Sequence, residues 1–360
     1  MTNIDLPIIL QNAKHILQSA WETDNPIIQF ASAEAYAALK NPIVAPILLQ
    51  TLTSPDPFLR DRAIQALGNL QDPKYIPDII PLFQDEDDAT RAHAFAAYAN
   101  IQPKKIHTQL KYTLQNRYYK TMEIGIELAA QLPEQKGQSH LKKTLNLDYF
   151  PYRLQILAAK YLAEQNHPKG WTFLQGLLQH NDRWIQFLGA RQLAHLHNQD
   201  GKQILIKMIQ EGDWEAKILA LEALLEIETS EEWIQDLKRP WEAPETKDRL
   251  QIIQILNKYQ PKQTEKLLQI EWNQATNEET KEKIIEIIGQ LHEPKYVEII
   301  KDIAIQGQEH LKATFLHAIQ KLNDISLIPY VFPIIVKSHW LVQIQASKVV
   351  LIIALQKNIE

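Results

Sequence analysis

The sequence contains no cysteine, which excludes disulfide bonds, thiolate metal sites and cysteine nucleophiles. Glycine is also scarce, with ten in 360 residues, and there is no glycine-rich phosphate loop, nucleophile elbow or HExxH motif. The twelve histidines are scattered along the chain, without the spacing that metal ligands need. Neither a metal nor a cofactor is predicted.

Long hydrophobic runs are absent as well. The longest, 349–355, is far shorter than the roughly 20 residues that span a membrane. The first residues, MTNIDLPIIL, lack the basic stretch of a signal peptide, so we expect a cytoplasmic protein without a membrane partner. A net charge of −5 and a pI near 6.2 disfavour a nucleic-acid partner.

The sequence does contain a repeat, clearest between residues 54 and 101. An amphipathic helical stripe recurs there after 31 residues, formed first by Ala63, Ile64, Ala66, Leu67 and Leu70 and then by Ala94, Phe95, Ala97, Tyr98 and Ile101. A repeat this short cannot bury its own apolar face, so it predicts stacked helix pairs.

Positions equivalent to Leu70, the last apolar residue of each second helix, occur every 31 to 33 residues; we call them anchors. They are Leu39, Leu70, Ile101, Leu132, Gln165, Leu196, Ile227, Tyr259, Leu291, Leu322 and Ile353. The spacing predicts one all-α solenoid of about eleven helix pairs over residues 1–360. The loop 237–248 carries two prolines and is the best place for a kink.

Turn residues fit this arrangement. Proline opens several first helices, as in the similar segments DPKYIPDII at 72–80 and EPKYVEIIKDI at 293–303. Before the second helices, the N-cap position is filled by Asp56, Asp87, Asp182, Asp213 and Asn277.

The segment ALGNLQDPKYIPDIIPLF and the DxDxxxR pattern before an alanine-rich helix resemble HEAT-like repeats of the short type found in phycobilisome lyases. The resemblance is strongest over 42–101. It implies a right-handed superhelix with second helices on the concave side. It implies no single activity, because the fold serves scaffolds, lyases and a class of DNA glycosylases.

Two registers carry candidate chemistry. Ten residues before the anchors, six repeats have a basic side chain and two have glutamine: Arg60, Arg91, Lys217, Arg249, Lys281, Lys312, Gln155 and Gln186. They form either a basic groove or structural pairs with the capping Asp residues, and the structural interpretation is favoured because exposed pairs are common.

The second register lies at the start of four successive second helices. Its aromatic residues, Tyr119, Tyr152, Trp184 and Trp214, are interleaved with Arg117, Lys120 and Arg153, and together these seven are the predicted binding residues. Such a set can bind a protein loop, an anionic planar ligand or unstacked bases. The alternative is that the rings pack against the adjacent turn.

Three functions remain open. A non-enzymatic scaffold that holds a protein partner on its concave face needs only the surface described, and it is the first hypothesis. A bilin lyase or isomerase subunit acting on phycobiliproteins is the second. A HEAT-like DNA glycosylase is the third, and the twelve acidic against five basic residues in 211–250 oppose it.

The C-terminal helix, 340–355, is apolar over more than one face. A terminal repeat normally shows a polar outer face. We therefore expect this helix to contact a partner or a second copy of the chain.

Overall fold

The computed structural model describes residues 5–103, 105, 110, 119–132, 134–146, 151–237 and 245–359. Within these ranges the regular elements are α-helices and short 3-10 helices, with no strand. The predicted all-α repeat fold is confirmed.

The described α-helices are numbered in chain order. The first eleven are α1 Leu6–Trp21, α2 Pro26–Ala38, α3 Ala45–Thr51, α4 Pro57–Leu70, α5 Ile76–Ile79, α6 Asp88–Ile101, α7 Tyr119–Ala130, α8 Glu134–Leu145, α9 Tyr152–Glu164, α10 Pro168–Leu177 and α11 Arg183–His195. The others are α12 Gln199–Glu211, α13 Trp214–Ile227, α14 Glu231–Leu237, α15 Thr246–Asn257, α16 Pro261–Gln274, α17 Glu278–Gln290, α18 Val297–Ile300, α19 Ile303–Gln306, α20 Glu309–Leu322, α21 Ile328–Lys337 and α22 Trp340–Gln356.

Every predicted repeat has its second helix among the described residues. These second helices are α2, α4, α6, α7, α9, α11, α13, α15, α17, α20 and α22. The anchors Leu70, Ile101, Ile227 and Leu322 are the last residues of their helices. The described ranges leave out most of the predicted first helix of the fourth repeat. They also leave out residues 238–244 of the predicted kink.

The chain divides into two compact units. The first contains Met1–Leu82, Ala96–Ile101 and Gln260–Glu360, and the second contains Phe83–Phe95 and Gln102–Tyr259. Within each unit, second helices of successive repeats pack side by side, α2 with α4 and α17 with α20 in the first, α9 with α11 and α11 with α13 in the second. This contact buries the stripe that each helix cannot cover alone.

The predicted N-caps are confirmed. The side chain of each accepts a hydrogen bond from a backbone N–H in the first turn of its helix, in the pairs Asp56 with Phe58, Asp87 with Thr90, Asp182 with Trp184, Asp213 with Ala216 and Asn277 with Thr280. In these five repeats the cap therefore fixes where the second helix starts.

Three members of the register ten residues before the anchors have structural roles, with partners that the sequence did not predict. Arg60 Nη1 donates to the carbonyl of Ser54 at 2.9 Å, Arg91 Nη1 to that of Asp85 at 2.5 Å, and Gln186 Nε2 to that of Leu178 at 2.6 Å. These carbonyls lie between the first and second helices, where no helical partner is available. The side chains thus tie the two helices of a repeat together.

Gly68 and Gly289 occupy the same register, two residues before an anchor, and permit close helix contact. A Cβ on Gly289 would lie 2.8 Å from the Cα of Ala318, and one on Gly68 would lie 3.1 Å from the Cα of Ala97. Both neighbours are backbone atoms of the next second helix, which cannot rotate away. These helices therefore depend on the absence of a side chain.

We expect Gly289→Ala to lower the free energy of unfolding by about 1–3 kcal/mol, because the methyl group forces α17 and α20 apart. Gly176→Ala is the matched control, since Gly176 is also the penultimate residue of its helix but has nothing within 4 Å of the added Cβ. Gly176→Ala should raise the free energy of unfolding by up to about 1 kcal/mol, because alanine has a higher helix propensity than glycine. Equal effects of the two substitutions in urea unfolding would contradict the close-contact interpretation.

The expectation that helix 340–355 contacts a partner or a second copy is wrong for most of its apolar surface. Helix α22 packs against α20 and α21 of its own end of the chain and also against α1 and α2 of the first repeat. Val342, Ile344, Val350 and Ile353 are buried, whereas Leu355 remains exposed. The first and last repeats therefore cover part of each other's apolar surface.

We expect a double-mutant cycle to detect this contact. Leu17 of α1 and Ile344 of α22 belong to one buried cluster, together with Ala20 and Ala35. Leu17→Ala should lower the free energy of unfolding by about 2–5 kcal/mol. The effect of combining it with Ile344→Ala should differ from the sum of the two single effects by at least about 0.5 kcal/mol.

The control for this cycle pairs Leu17→Ala with Leu267→Ala. Leu267 is also buried, but it lies on α16, which packs against α17 and α18. The effects of these two substitutions on the free energy of unfolding should be additive. Additivity in both cycles would show that the terminal helices do not meet.

Candidate protein-binding surface

The four predicted aromatic residues lie at the same end of four successive second helices. Tyr119, Tyr152 and Trp214 are the first residues of α7, α9 and α13, and Trp184 is the second residue of α11. Asp182 Oδ1 accepts a hydrogen bond from the Trp184 N–H at 2.8 Å, so the cap fixes the backbone that carries the indole. The helix starts thus present a row of rings.

The rings differ in exposure. Tyr152 is 45% and Trp184 49% exposed, whereas Tyr119 and Trp214 are half-buried. The Arg153 guanidinium carbon lies 6.0 Å from the Tyr119 ring centre, and Lys217 Nζ lies 5.6 Å from that of Trp214. Two rings therefore pack against neighbouring cations, and two remain available to a ligand.

Not all seven predicted residues can be placed. Arg117 lies outside the described residues, as does the side chain of Lys120. Tyr119 and Arg153 contact each other, and Tyr152 makes an edge contact with His180 at 5.3 Å. Trp184 lines a cavity.

This cavity has a volume of about 550 Å³ and lies between α11, α12 and α13. Its floor is apolar and consists of Phe187, Ile204, Met208, Ala216 and Leu219, with Trp184 at the edge. The Trp184 and Phe187 rings are 5.4 Å apart between centres. The cavity can therefore take an apolar side chain in contact with an indole.

The rim of the cavity carries charge of both signs. Arg183 is exposed and makes no hydrogen bond or ion pair among the described residues. Lys207 and Glu211 pair at 3.8 Å, and Asp213 and Glu215 extend the acidic side. Two positive and three negative groups thus surround an apolar floor.

Sequence reasoning missed the floor of this cavity. Ile204 and Met208 lie four residues apart on α12, so the amphipathic pattern placed them on one helical face. Both are partly buried beside a hydrophobic cluster of the second unit. That they also border an open space depends on the separation of α11 and α13, which has no local sequence signal.

An ionic cluster joins α11 and α13 near their C-terminal ends. Arg191 Nη2 lies 2.8 Å from both carboxylate oxygens of Glu226, and His195 Nε2 lies 3.0 Å from Oε2. Hydrogen bonds from His195 and Arg191, opposed by partial burial, lower the pKa of Glu226 from 4.5 to about 2. The carboxylate therefore holds together the two second helices that flank the cavity.

We expect Glu226→Gln to lower the free energy of unfolding at pH 7 by about 1 kcal/mol, a modest figure because Glu226 is partly exposed and screened by solvent. Because the pKa of Glu226 is lower in the folded state, its ionised carboxylate stabilises the folded protein above pH 4.5. This stabilisation is lost as the pH falls towards 2. The difference from the unmodified protein in urea unfolding should shrink over that window.

Glu222→Gln is the control for this pH dependence. Glu222 lies one turn earlier on α13 and makes no ion pair among the described residues. Its substitution should change stability little at any pH. A pH-independent loss in Glu226→Gln would mean that packing, not charge, is responsible.

Within the described residues there is no group of three or more His, Asp or Glu side chains that could hold a metal ion. The described helices also include none with the length and apolar character required to cross a lipid bilayer.

Residues 45–112 match the HEAT-repeat family, which confirms HEAT-like repeats in that part of the chain. No curated protein matches the chain. Among solved structures, the complex of CpcE and CpcF of phycocyanin lyase from Nostoc sp. PCC7120 is 16% identical, with 66% of this chain and 94% of that chain covered and a TM-score of 0.35.

Two further structures are similar to the chain. Human deoxyhypusine hydroxylase is 16% identical, with 71% of this chain and 98% of that chain covered and a TM-score of 0.28. A Kap121p mutant is 12% identical, with 94% of this chain and 45% of that chain covered and a TM-score of 0.38. At these identities and TM-scores, none of the three bears on an activity.

Proposed function

We propose that this chain is a protein-interaction scaffold whose second helices in repeats six and seven bind a segment of a partner protein. The observation that carries the proposal is the 550 Å³ cavity with an apolar floor and a half-exposed Trp184 at its edge. Binding energy at protein interfaces concentrates in such places, where an aromatic residue and a desolvated pocket meet.

The rim specifies the chemistry of the segment. An apolar side chain would fill the floor, an acidic group beside it would pair with Arg183, and a basic group would face Glu211, Asp213 and Glu215. Mixed charge of this kind favours a partner with complementary groups of both signs. Tyr152 and Arg153, one repeat away, extend the same row of helix starts.

The same rim opposes the two alternative functions. A bilin bears two propionates, and DNA bears a phosphate at every nucleotide. Either would place its negative charges among three carboxylates and two cations. The scaffold therefore fits the charges better than the bilin lyase or the glycosylase.

A selection from a random peptide library tests the proposal. We expect the enriched peptides to share an apolar residue flanked by an acid and a base. Trp184→Ala and Met208→Glu should each weaken binding by about 1–3 kcal/mol, because each disturbs a wall of the cavity. The melting temperature of Trp184→Ala should stay close to that of the unmodified protein, since its indole is half-exposed.

Ile27→Ala is the matched control. Ile27 lies twelve residues before its anchor, as Trp184 does, and it is 66% exposed but lines no part of this cavity. It should leave peptide binding unchanged. Equal losses in Ile27→Ala and Trp184→Ala, or saturable binding of a linear tetrapyrrole or short duplex DNA without any peptide, would overturn the proposal.

A further inference from the structure

A second cavity, of about 290 Å³, lies in the first unit between α2, α4 and α22. It exists because small residues face it, among them Ala31, Ala35, Ala38 and Ala66. Its polar lining consists of Glu34, Arg62, Gln65, Asn69, Gln345 and Lys348. These side chains come from the first, second and last repeats, which the contact of α22 with α2 brings together.

The Arg62 guanidinium is already neutralised and held in place. Its Nε donates to Glu34 Oε1 at 2.7 Å, and Nη2 donates to Glu34 Oε2. The guanidinium carbon also lies 5.4 Å from the Phe30 ring centre and 5.5 Å from that of Phe58. A bidentate pair between two rings is rigid, so it forms a fixed wall of the cavity.

Lys348 is the uncompensated charge in this cavity. Its side chain is partly buried, and it makes no hydrogen bond or ion pair among the described residues. Burial lowers the pKa of Lys348, with Glu34 acting in the opposite direction and Arg62 in the same one. On α20, burial lowers the pKa of His317, and the positive charges of Lys321 and Lys348 lower it further.

An ammonium group in this position lacks the partners that buried charges normally have. Gln65, Asn69 and Gln345 likewise make no hydrogen bonds among the described residues, and they are exposed at the mouth of the cavity. One cation and three amide groups, each with an NH₂ that can donate, thus line this space beside the Arg62–Glu34 pair. Amide N–H groups and an ammonium together are suitable donors for an oxyanion.

We propose that this cavity binds a carboxylate, with Lys348 Nζ as its charged partner and the amides of Gln65, Asn69 and Gln345 as further donors. The two cations, Arg62 and Lys348, exceed Glu34 by one charge, so a single carboxylate makes the site neutral. A phosphate group would bring nearly two negative charges and leave the site with a net negative charge.

The volume limits the size of the ligand. A cavity of about 290 Å³ corresponds to roughly ten water molecules in the liquid. It accommodates a small carboxylic acid or one acidic side chain or chain terminus of a protein. The carboxylate is common to these sources. This site involves none of the residues of the cavity between α11 and α13, so it does not rest on the scaffold proposal.

Calorimetric titration of the full chain tests the site. The probes are acetate and hexanoate as free acids, a short peptide with a free C-terminus, the same peptide amidated but with an internal Glu, and inorganic phosphate. We expect at least one carboxylate probe to bind saturably and Lys348→Met to weaken it by about tenfold or more, because the charge-assisted bond is lost. The probe that binds best identifies the source of the carboxylate.

Two comparisons separate binding from folding. Lys262→Met, on the exposed surface of α16, should bind as the unmodified protein does. Lys348→Met should melt at the same or a higher temperature, since it removes a poorly solvated charge. Gln345→Leu keeps the lysine and should weaken binding by a smaller factor.

Three results would overturn the proposal. One is the absence of saturable binding of every carboxylate probe by the unmodified protein. Another is phosphate binding as tight as that of the best carboxylate. The third is a lower melting temperature of Lys348→Met together with unchanged binding by Gln345→Leu, which would make Lys348 a structural residue.

Discussion

The structure depends on one constraint, which is that a repeat of about 31 residues cannot cover the apolar face of its own second helix. The stripe that includes Ala63, Ile64 and Leu67 is buried, as is the equivalent stripe around Phe95. Only the neighbouring repeat can provide that cover, because the first helix of the same repeat contacts one side alone. Stability therefore comes from contacts between repeats. The period of the apolar stripe in the sequence reflects these contacts.

The same constraint applies to the contact between the first and last repeats. Helices α1 and α22 each bury an apolar face on the other. The surplus hydrophobicity of 340–355 suggested an interface, and an interface is what it forms, although the partner is the first repeat of the same chain. A hydrophobic surface predicts that something covers it and does not say what.

Much of the fold was accessible from the sequence because its determinants are local. Asp182 caps α11 because it precedes the helix by one residue, and Gly289 allows a close contact at a position that the period itself defines. Contacts between distant residues leave no such pattern. The pairing of Leu17 with Ile344, and the space bordered by Trp184 and Met208, depend on how helices are placed relative to each other.

The candidate sites follow from what stacking leaves free. A second helix uses its buried stripe for its neighbours, so its first turn and its opposite face can change without loss of the fold. In the second unit those positions carry Trp184 and Arg183 beside acidic residues, and in the first unit they carry Arg62, Gln65 and Lys348. One repeat thus produces an apolar cavity of mixed charge at one place and a polar, cationic one at another. Since the core requirements are the same in both, the difference between the two cavities lies in residues of the exposed face, which stacking does not determine.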